Sequence, residues 1–283
     1  MVSPSPDRPG REVSTGPPAL IAIPAAVGFA FLFLPILALL TRAPWRGLAG
    51  LLADSAALTA LRLSLECATA ATALSVLFGV PLAWVLARVR LPGIGLLRAV
   101  VTLPLVLPPV VGGLALLLAL GRNGVFGRWL YSATGYSLPF TTGGVIVAET
   151  FVAMPFLVLT VEAAIRSADR ELEEAAATLG ASGAVVFRRV TLPLVSPSLL
   201  AGSVLCWARA LGEFGATITF AGNFPATTQT MPLAVYNALE VDPAQAVALS
   251  LVLLVVAVAV LAALRDRWLR PGRTATAGER VAL

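Results

Sequence analysis

Residues 166–196 read RSADRELEEAAATLGASGAVVFRRVTLPLVS and separate two long apolar segments of the chain. The part at 169–179 has an acidic start and consists mostly of strong helix formers, so it predicts a short helix. Gly180 follows at the position where a left-handed residue would end that helix. A second short helix is predicted at about Ala184–Val190, with Leu192–Pro193 stopping it. Two short helices joined by a bend indicate a docking element rather than a catalytic one.

The rest of the chain has the composition of a membrane protein. Of the 283 residues, 58% are hydrophobic and only 12% are charged, whereas a soluble domain carries about 25% charged residues. Six apolar windows are long enough for a helix to cross a hydrocarbon core of about 30 Å. An all-α, polytopic membrane protein of about six transmembrane helices is therefore predicted, and the first window is interpreted as an uncleaved helix. The windows lie near Ala19–Leu40, Leu63–Leu86, Ala99–Leu120, Thr142–Ile165, Pro197–Phe220 and Ala244–Leu264.

The distribution of arginine predicts how these spans are oriented. Fourteen of the 20 basic residues, all Arg, lie in the N-terminal tail, the 87–98 loop, the 166–196 loop and the C-terminal tail, and only four lie in the alternate segments. Because Arg and Lys accumulate in cytoplasmic loops, both termini and the 166–196 loop are predicted to be cytoplasmic. Residues 1–18 are predicted to be a disordered tail, 19–265 the transmembrane domain and 266–283 a second tail.

Two residue types that the chain lacks exclude several functions. Without Lys there is no phosphate-binding GxxxxGK[ST] loop, so the chain is predicted not to be an ATPase. Without His, the common metal sites and the Ser–His and Cys–His nucleophile pairs are unavailable. Cys67 and Cys206 lie in apolar segments and are interpreted as packing residues. We therefore predict no enzyme activity, no cofactor and no metal bound by this chain. Its net charge of +5 is explained by membrane orientation rather than by a nucleic-acid partner.

The third apolar window contains several residues that break helices. Pro104, Pro108 and Pro109 interrupt it, and Gly112 and Gly113 follow directly. Proline removes a backbone donor, which lipid tolerates only where neighbours or water satisfy the freed carbonyls. The pattern is compatible with an ordinary kinked packing helix or with a broken helix that lines a pathway.

The 166–196 segment resembles the cytoplasmic loop of a known transporter family. Permease subunits of ATP-binding-cassette (ABC) importers share the pattern E-A-A-x3-G-x9-[I/V]-x-L-P, and the segment matches it position for position. The resemblance implies the type I (MetI-like) permease fold and a homodimer in the cell membrane. It also implies two partner ATPase subunits, which bind ATP and Mg²⁺, and an external substrate-binding protein. The implied ATPase-coupling residues are Glu174, Ala175, Ala176, Gly180, Val190, Leu192 and Pro193.

A second stretch narrows the substrate that the resemblance implies. Residues 208–240, ARALGEFGATITFAGNFPATTQTMPLAVYNALE, are similar to permeases for the oxyanions molybdate, tungstate and sulfate, and most similar to the molybdate group. The 107–124 and Phe140–Pro155 stretches resemble the same group. The expected cargo is molybdate, with sulfate, thiosulfate or tungstate as alternatives. A proton-driven secondary transporter using Glu149 or Glu213, and a non-transporting membrane scaffold, are the rival classes.

Charged residues inside the apolar windows are candidate pathway residues. Arg209 and Glu213 are four apart in the fifth window, on one helical face, and form either a structural ion pair or a contact with the passing anion. Glu66 is close enough to Arg62 to pair with it. Glu149 has no partner visible in the sequence and is interpreted as facing a water-filled cavity.

A hydroxyl-rich run is expected on the external side of the membrane. It lies at 227–230 and is interpreted either as a contact with the binding protein or the anion, or as a solvated loop. The candidate contact residues are Thr228, Gln229 and Thr230.

Overall fold

The computed structural model describes residues 19–48, 50, 54–90 and 92–268, with the backbone alone for 261 and 263–268. The predicted tail at 1–18 lies outside the described residues, as does nearly all of the tail at 266–283. Every regular element of the described part is helical, which confirms the all-α prediction. A first unit, within 1–43, contains α1 (Ala19–Thr41). The second unit contains α2 (Ser55–Arg88), α3 (Ile94–Val106), α4 (Pro109–Leu120), α5 (Gly127–Thr134), α6 (Thr142–Ser167), α7 (Arg170–Thr178), α8 (Gly183–Val186), a π-helical turn (Phe187–Thr191), α9 (Leu192–Leu211), α10 (Gly215–Phe220), α11 (Met231–Val241) and α12 (Pro243–Trp268).

Five of these helices are long and apolar enough to cross a membrane, and the bent pair α3–α4 makes a sixth candidate span. The chain is thus a multi-pass membrane protein, as predicted. The second span begins earlier than its apolar window, at Ser55, because the side chain of Asp54 accepts a hydrogen bond from Ala56 N–H and caps the helix. Arg62 and Glu66 pair on its surface at 2.6 Å, also as predicted.

The third window does not form one continuous helix. The chain bends by 119° between α3 and α4. Leu107 and Pro108, each of which precedes a proline, have extended backbone with ψ of 134° and 132°, because the proline ring excludes the helical conformation of the residue before it. The helix is therefore broken rather than kinked, and its predicted place along a pathway stays a prediction.

The fifth window is also interrupted. Its long helix, α9, ends at Leu211, and Phe214 precedes the short helix α10. The predicted bounds of this span are therefore wrong, although the helix at Gly183–Leu211 is long and apolar enough to cross a membrane. The only charged residues of this window, Arg209 and Glu213, flank the break, so the sequence carried a local sign of it that a search for apolar windows passes over.

Helix α6 lies at the centre of the second unit and packs against α2, α3, α4, α9 and α10. Small residues allow the closest of these approaches. A Cβ atom on Gly79 of α2 would lie 3.1 Å from side-chain atoms of Leu157 and Val158, and one on Gly202 of α9 would lie 3.1 Å from Thr160. The central core is built from such close helix contacts, which are typical of membrane bundles.

Candidate functional site

We call the 166–196 segment the elbow. Its first half folds as predicted. Helix α7 occupies Arg170–Thr178, and Asp169 caps it by accepting a hydrogen bond from Glu171 N–H at 2.9 Å. Gly180 has a φ of +85°. The N–H groups of Gly180 and Ala181 donate to the carbonyls of Ala177 and Ala176, at 2.9 and 3.1 Å. This is the hydrogen-bond pattern of a Schellman motif, so the left-handed glycine ends the helix.

The second half of the elbow departs from the prediction. Helix α8 (Gly183–Val186) does not stop at Leu192–Pro193 but continues through the π-helical turn directly into α9. The wider turn lets Leu192 N–H donate to the carbonyl of Phe187, five residues earlier. Pro193, which has no N–H, then lies in the first turn of α9, where proline is tolerated. The elbow is therefore continuous with a membrane span.

The seven predicted coupling residues lie along the elbow, some exposed to solvent and some half-buried. Those on the outer side form an exposed surface together with Leu179, whose side chain is 89% exposed. Their predicted role in coupling stays a prediction. Glu174, Ala175, Gly180 and Pro193 are exposed, whereas Ala176, Val190 and Leu192 are half-buried.

The inner side of the elbow makes ionic contacts that the sequence did not reveal. Glu173 Oε1 accepts hydrogen bonds from Arg88 Nη2 at 3.1 Å and from Thr191 Oγ1 at 2.8 Å, and Glu173 Oε2 lies 3.0 Å from Arg88 Nε. Arg88 ends α2 and is 85 residues away in sequence. No local spacing links the two residues, so only the folded chain identifies them as partners.

A second ionic cluster adjoins the end of α2. Glu162 Oε1 of α6 accepts hydrogen bonds from Arg98 Nη2 at 2.6 Å and Arg166 Nε at 2.9 Å. Both arginines also donate to the carbonyl of Leu86, at 3.4 and 2.9 Å respectively. The cluster therefore joins α2, α3 and α6 at the ends that the arginine distribution predicts to be cytoplasmic.

The structure brings Arg209 and Glu213 together, but not on one continuous helix. Arg209 Nη1 lies 2.6 Å from Glu213 Oε2, although α9 ends at Leu211 between them. The other carboxylate oxygen of Glu213 accepts a hydrogen bond from Ala216 N–H at 2.8 Å, at the start of α10. Glu213 is 1% exposed, so its carboxylate depends on these two contacts.

The two broken spans meet at glycines. A Cβ atom on Gly113 of α4 would lie 2.7 Å from the carbonyl oxygen of Ala216 and 2.8 Å from Cβ of Thr219, both on α10. On the other side, a Cβ on Gly215 would lie 2.9 Å from Cβ of Pro109. The backbones of α4 and α10 are thus in direct contact, which only glycine permits at these positions.

Two further polar groups are buried near this contact. Glu149 on α6 is 1% exposed and Thr217 on α10 is fully buried. Oε2 of Glu149 and Oγ1 of Thr217 have no hydrogen-bond partner among the described residues. The water-filled cavity expected beside Glu149 stays a prediction. Among the residues that the structure describes, no group of three His, Cys, Asp or Glu side chains could hold a metal ion.

The hydroxyl-rich run is packed rather than solvated at two of its positions. Thr228 and Thr230 are buried, and Thr228 Oγ1 accepts a hydrogen bond from Phe224 N–H at 2.9 Å. Gln229 is half-buried between them. Only Thr227 is exposed, and its carbonyl accepts a hydrogen bond from Thr142. The solvated-loop interpretation is therefore wrong for Thr228 and Thr230, because both side chains are buried.

Comparison with known proteins identifies close relatives. Residues 75–273 match the family described as "Binding-protein-dependent transport system inner membrane component". The molybdenum transport system permease protein ModB of Mycobacterium tuberculosis is 49% identical over 86% of this chain and 92% of its own. ModB of Escherichia coli is 41% identical over 74% of this chain and 92% of its own. The sulfate transport system permease protein CysT of Salmonella typhimurium is 36% identical over 86% of this chain and 88% of its own.

Solved structures share the fold. A chain of a bacterial ABC transporter that imports the acidic polysaccharide alginate aligns with a TM-score of 0.70 and 21% identity, over 89% of this chain and 95% of that chain. A chain of the MetNI methionine ABC transporter aligns with a TM-score of 0.57 and 18% identity, over 75% and 93%. The predicted MetI-like permease fold is confirmed. The chain belongs to the family of binding-protein-dependent transport system inner membrane components, as a homologue of the molybdenum transport permeases.

Proposed function

We propose that this chain is the permease subunit of an ABC importer and carries molybdate across the cell membrane. The observation that carries the proposal is its 49% identity, over most of both chains, to a protein named as a molybdenum transport permease. The sulfate permease relative is more distant, at 36%. The exposed outer surface of the elbow supports the same function because a permease needs a site at which its ATPase docks.

The proposed complex contains two copies of this chain, two ATPase subunits and an external binding protein. ATP and Mg²⁺ bind to the ATPase subunits. This chain supplies the transmembrane pathway and the helices that move during transport. Because the elbow continues through the π-helical turn into α9, displacement of the docked elbow moves α9 directly. The break between α9 and α10 then lies on the helix that the ATPase moves, with Arg209 beside it.

Uptake measurements test the proposed cargo. Cells that lack their own molybdate and sulfate importers would express this chain with its ATPase and binding protein, and accumulate radiolabelled molybdate. Uptake should be suppressed by excess molybdate, and by sulfate or thiosulfate only at far higher concentrations. Equal competition by sulfate would assign the sulfate alternative, and dominant competition by tungstate would assign tungstate. ATP-independent uptake driven by a proton gradient would contradict the ABC mechanism.

The proposed orientation makes a labelling prediction. A cysteine at exposed Ser182 in the elbow should react with a membrane-impermeant maleimide only from the cytoplasmic side, and one at exposed Thr227 only from outside, because of the arginine bias. The native Cys67 and Cys206 are buried, so the unaltered protein serves as the background control. Labelling of both positions from the same side would disprove this topology.

Gly180 provides a prediction for the elbow. Gly180→Val should reduce ATPase co-purification and uptake while leaving membrane insertion normal, because a non-glycine residue at a φ of +85° costs about 1–2 kcal/mol and β-branching adds to that cost. Gly183→Val is the matched control, since Gly183 lies in the same elbow with open space around it and an ordinary φ. Wild-type uptake and ATPase binding by Gly180→Val would refute the role of this turn.

A further inference from the structure

We infer that Glu173 is a positioning residue that ties the elbow to the ends of the membrane spans, so that movement of the docked ATPase is transmitted to α2 and α6 as well as to α9. The inference rests on the proposed function. Its residues are Glu173, Arg88 and Thr191, which we call the elbow tie. Glu173 is not one of the residues that the importer pattern singles out, and its partner Arg88 is distant in sequence.

The elbow tie joins three separate elements through one carboxylate. Glu173 lies on α7, Arg88 in the last turn of α2, and Thr191 at the end of the π-helical turn. All three contacts are between 2.8 and 3.1 Å. The side chains of Arg88 and Glu173 are only 9% and 14% exposed, so water screens their attraction weakly. One Arg88 hydrogen bond, a close ion-pair contact and the Thr191 hydrogen bond together hold the Glu173 carboxylate in place.

The tie continues into the neighbouring spans through the backbone of α2. Two residues before Arg88, the carbonyl of Leu86 accepts hydrogen bonds from Arg166 on α6 and Arg98 on α3. Both of these arginines are bound to the carboxylate of Glu162, which is 4% exposed. The end of α2 is therefore held to the elbow on one side and to α6 on the other. A displacement of α7 acts on both spans.

Adjacent glutamates on α7 have different surroundings. Successive residues on a helix point about 100° apart. Glu173 faces the bundle and is partnered, whereas Glu174 is exposed on the surface proposed to dock the ATPase. Glu171, on the same helix, is also exposed and provides a matched control for loss of a carboxylate. The two functions of docking and transmission are thus assigned to different side chains.

Loss of the tie should separate ATP hydrolysis from transport. In Glu173→Gln the side chain keeps its size but loses its charge, and an amide NH2 donor replaces the oxygen that faces the Arg88 guanidinium. In Thr191→Val the hydroxyl donor is replaced by a methyl group of similar shape. The elbow would still dock, but α2 and α6 would no longer follow it. We expect molybdate transported per ATP hydrolysed to fall about fivefold or more for Glu173→Gln, a magnitude at the low end of coupling between sites. Thr191→Val, which removes one of the three contacts, should cause a smaller loss.

The experiment reconstitutes the full complex in proteoliposomes and measures uptake, ATP hydrolysis and ATPase co-purification for each variant. Glu171→Gln should match the wild type. Thr191→Ser, which retains the hydroxyl, should transport more molybdate per ATP hydrolysed than Thr191→Val does. The exchange Arg88→Glu with Glu173→Arg should recover a large part of the loss seen with either single change. The inference would be overturned if Glu173→Gln reduced ATPase binding but left the molybdate transported per ATP hydrolysed unchanged. It would also be overturned if Glu171→Gln lowered that ratio as much as Glu173→Gln does.

A second readout separates this inference from the proposed cargo. If the unaltered complex does not carry molybdate, the proposed function fails. The elbow tie is still tested by the stimulation of ATP hydrolysis by the binding protein, because that signal must pass from the spans back to the ATPase. Glu173→Gln should lower this stimulation with ATPase binding intact. Stimulation equal to that of the wild type would overturn the elbow tie even if molybdate transport were established.

Discussion

Arg209→Ala and Glu213→Ala are each expected to destabilise the folded protein by about 3–5 kcal/mol, the cost of leaving one partner of a buried ion pair without the other. Glu213 is 1% exposed and its two oxygens bind Arg209 and the N–H of Ala216. Glu213→Ala therefore removes the partner of Arg209 and the acceptor of the Ala216 N–H together. Arg209→Ala leaves a buried carboxylate with only one donor.

A double-mutant cycle separates a structural role from contact with the anion. If the residues act as a pair, the double alanine variant should cost less than the sum of the single costs, measured as free energy of unfolding in mixed micelles. If Arg209 instead binds the anion, its loss should reduce uptake while sparing stability, and Glu213→Ala should not reproduce that result. Strict additivity of the stability changes would disprove the pair. Normal uptake by a stable Arg209→Ala protein would disprove anion contact.

Gly113→Ala is expected to have the second large effect, a destabilisation of about 1–3 kcal/mol or more with loss of transport. The added methyl group would lie 2.7 Å from the carbonyl oxygen of Ala216 and 3.0 Å from its Cα. These are backbone atoms of α10, so no side-chain rotation relieves the clash. The half-helices α4 and α10 would have to separate, and the break next to Arg209 would change shape.

Gly95→Ala is the matched control for this prediction. Gly95 lies in α3, the other half of the same broken span, and has nothing within 4 Å of the position of a Cβ. Alanine there should be neutral or stabilising, since alanine favours a helix by about 1 kcal/mol over glycine. Melting temperature in detergent and uptake are the measurements. A Gly113→Ala protein as stable and active as Gly95→Ala would show that the close contact is not required.

Several features followed from local sequence because their causes are local. The spans follow from apolar segments of sufficient length, and the paired prolines at Pro108–Pro109 break the third one by excluding the helical backbone of the residue before each. The first elbow helix and its left-handed end at Gly180 follow from capping and from helix-forming composition. The pattern of the elbow was sufficient to identify the family.

Other features were decided by contacts between distant parts of the chain. The span at 197–220 is split after Leu211, where α10 packs against α4, and the elbow passes through Leu192–Pro193 into α9 by adopting a π-helical turn. Thr228 and Thr230 are buried although they lie in a segment whose composition is typical of a solvated loop. Hydropathy and propensity report the preference of each segment alone, and here tertiary packing determined the outcome.

The ionic contacts show the same division most clearly. Arg62 and Glu66, four residues apart on one helix, could be paired from their spacing. Arg88 and Glu173 are 85 residues apart, and Arg98 and Glu162 are 64 apart. A helix brings neighbours to its surface at fixed spacing, whereas partners on different helices meet only where the bundle packs. Local sequence therefore determined most of the spans, the break at Pro108–Pro109 and the first elbow helix, and only the packed bundle determined which charges connect the elbow to the membrane spans.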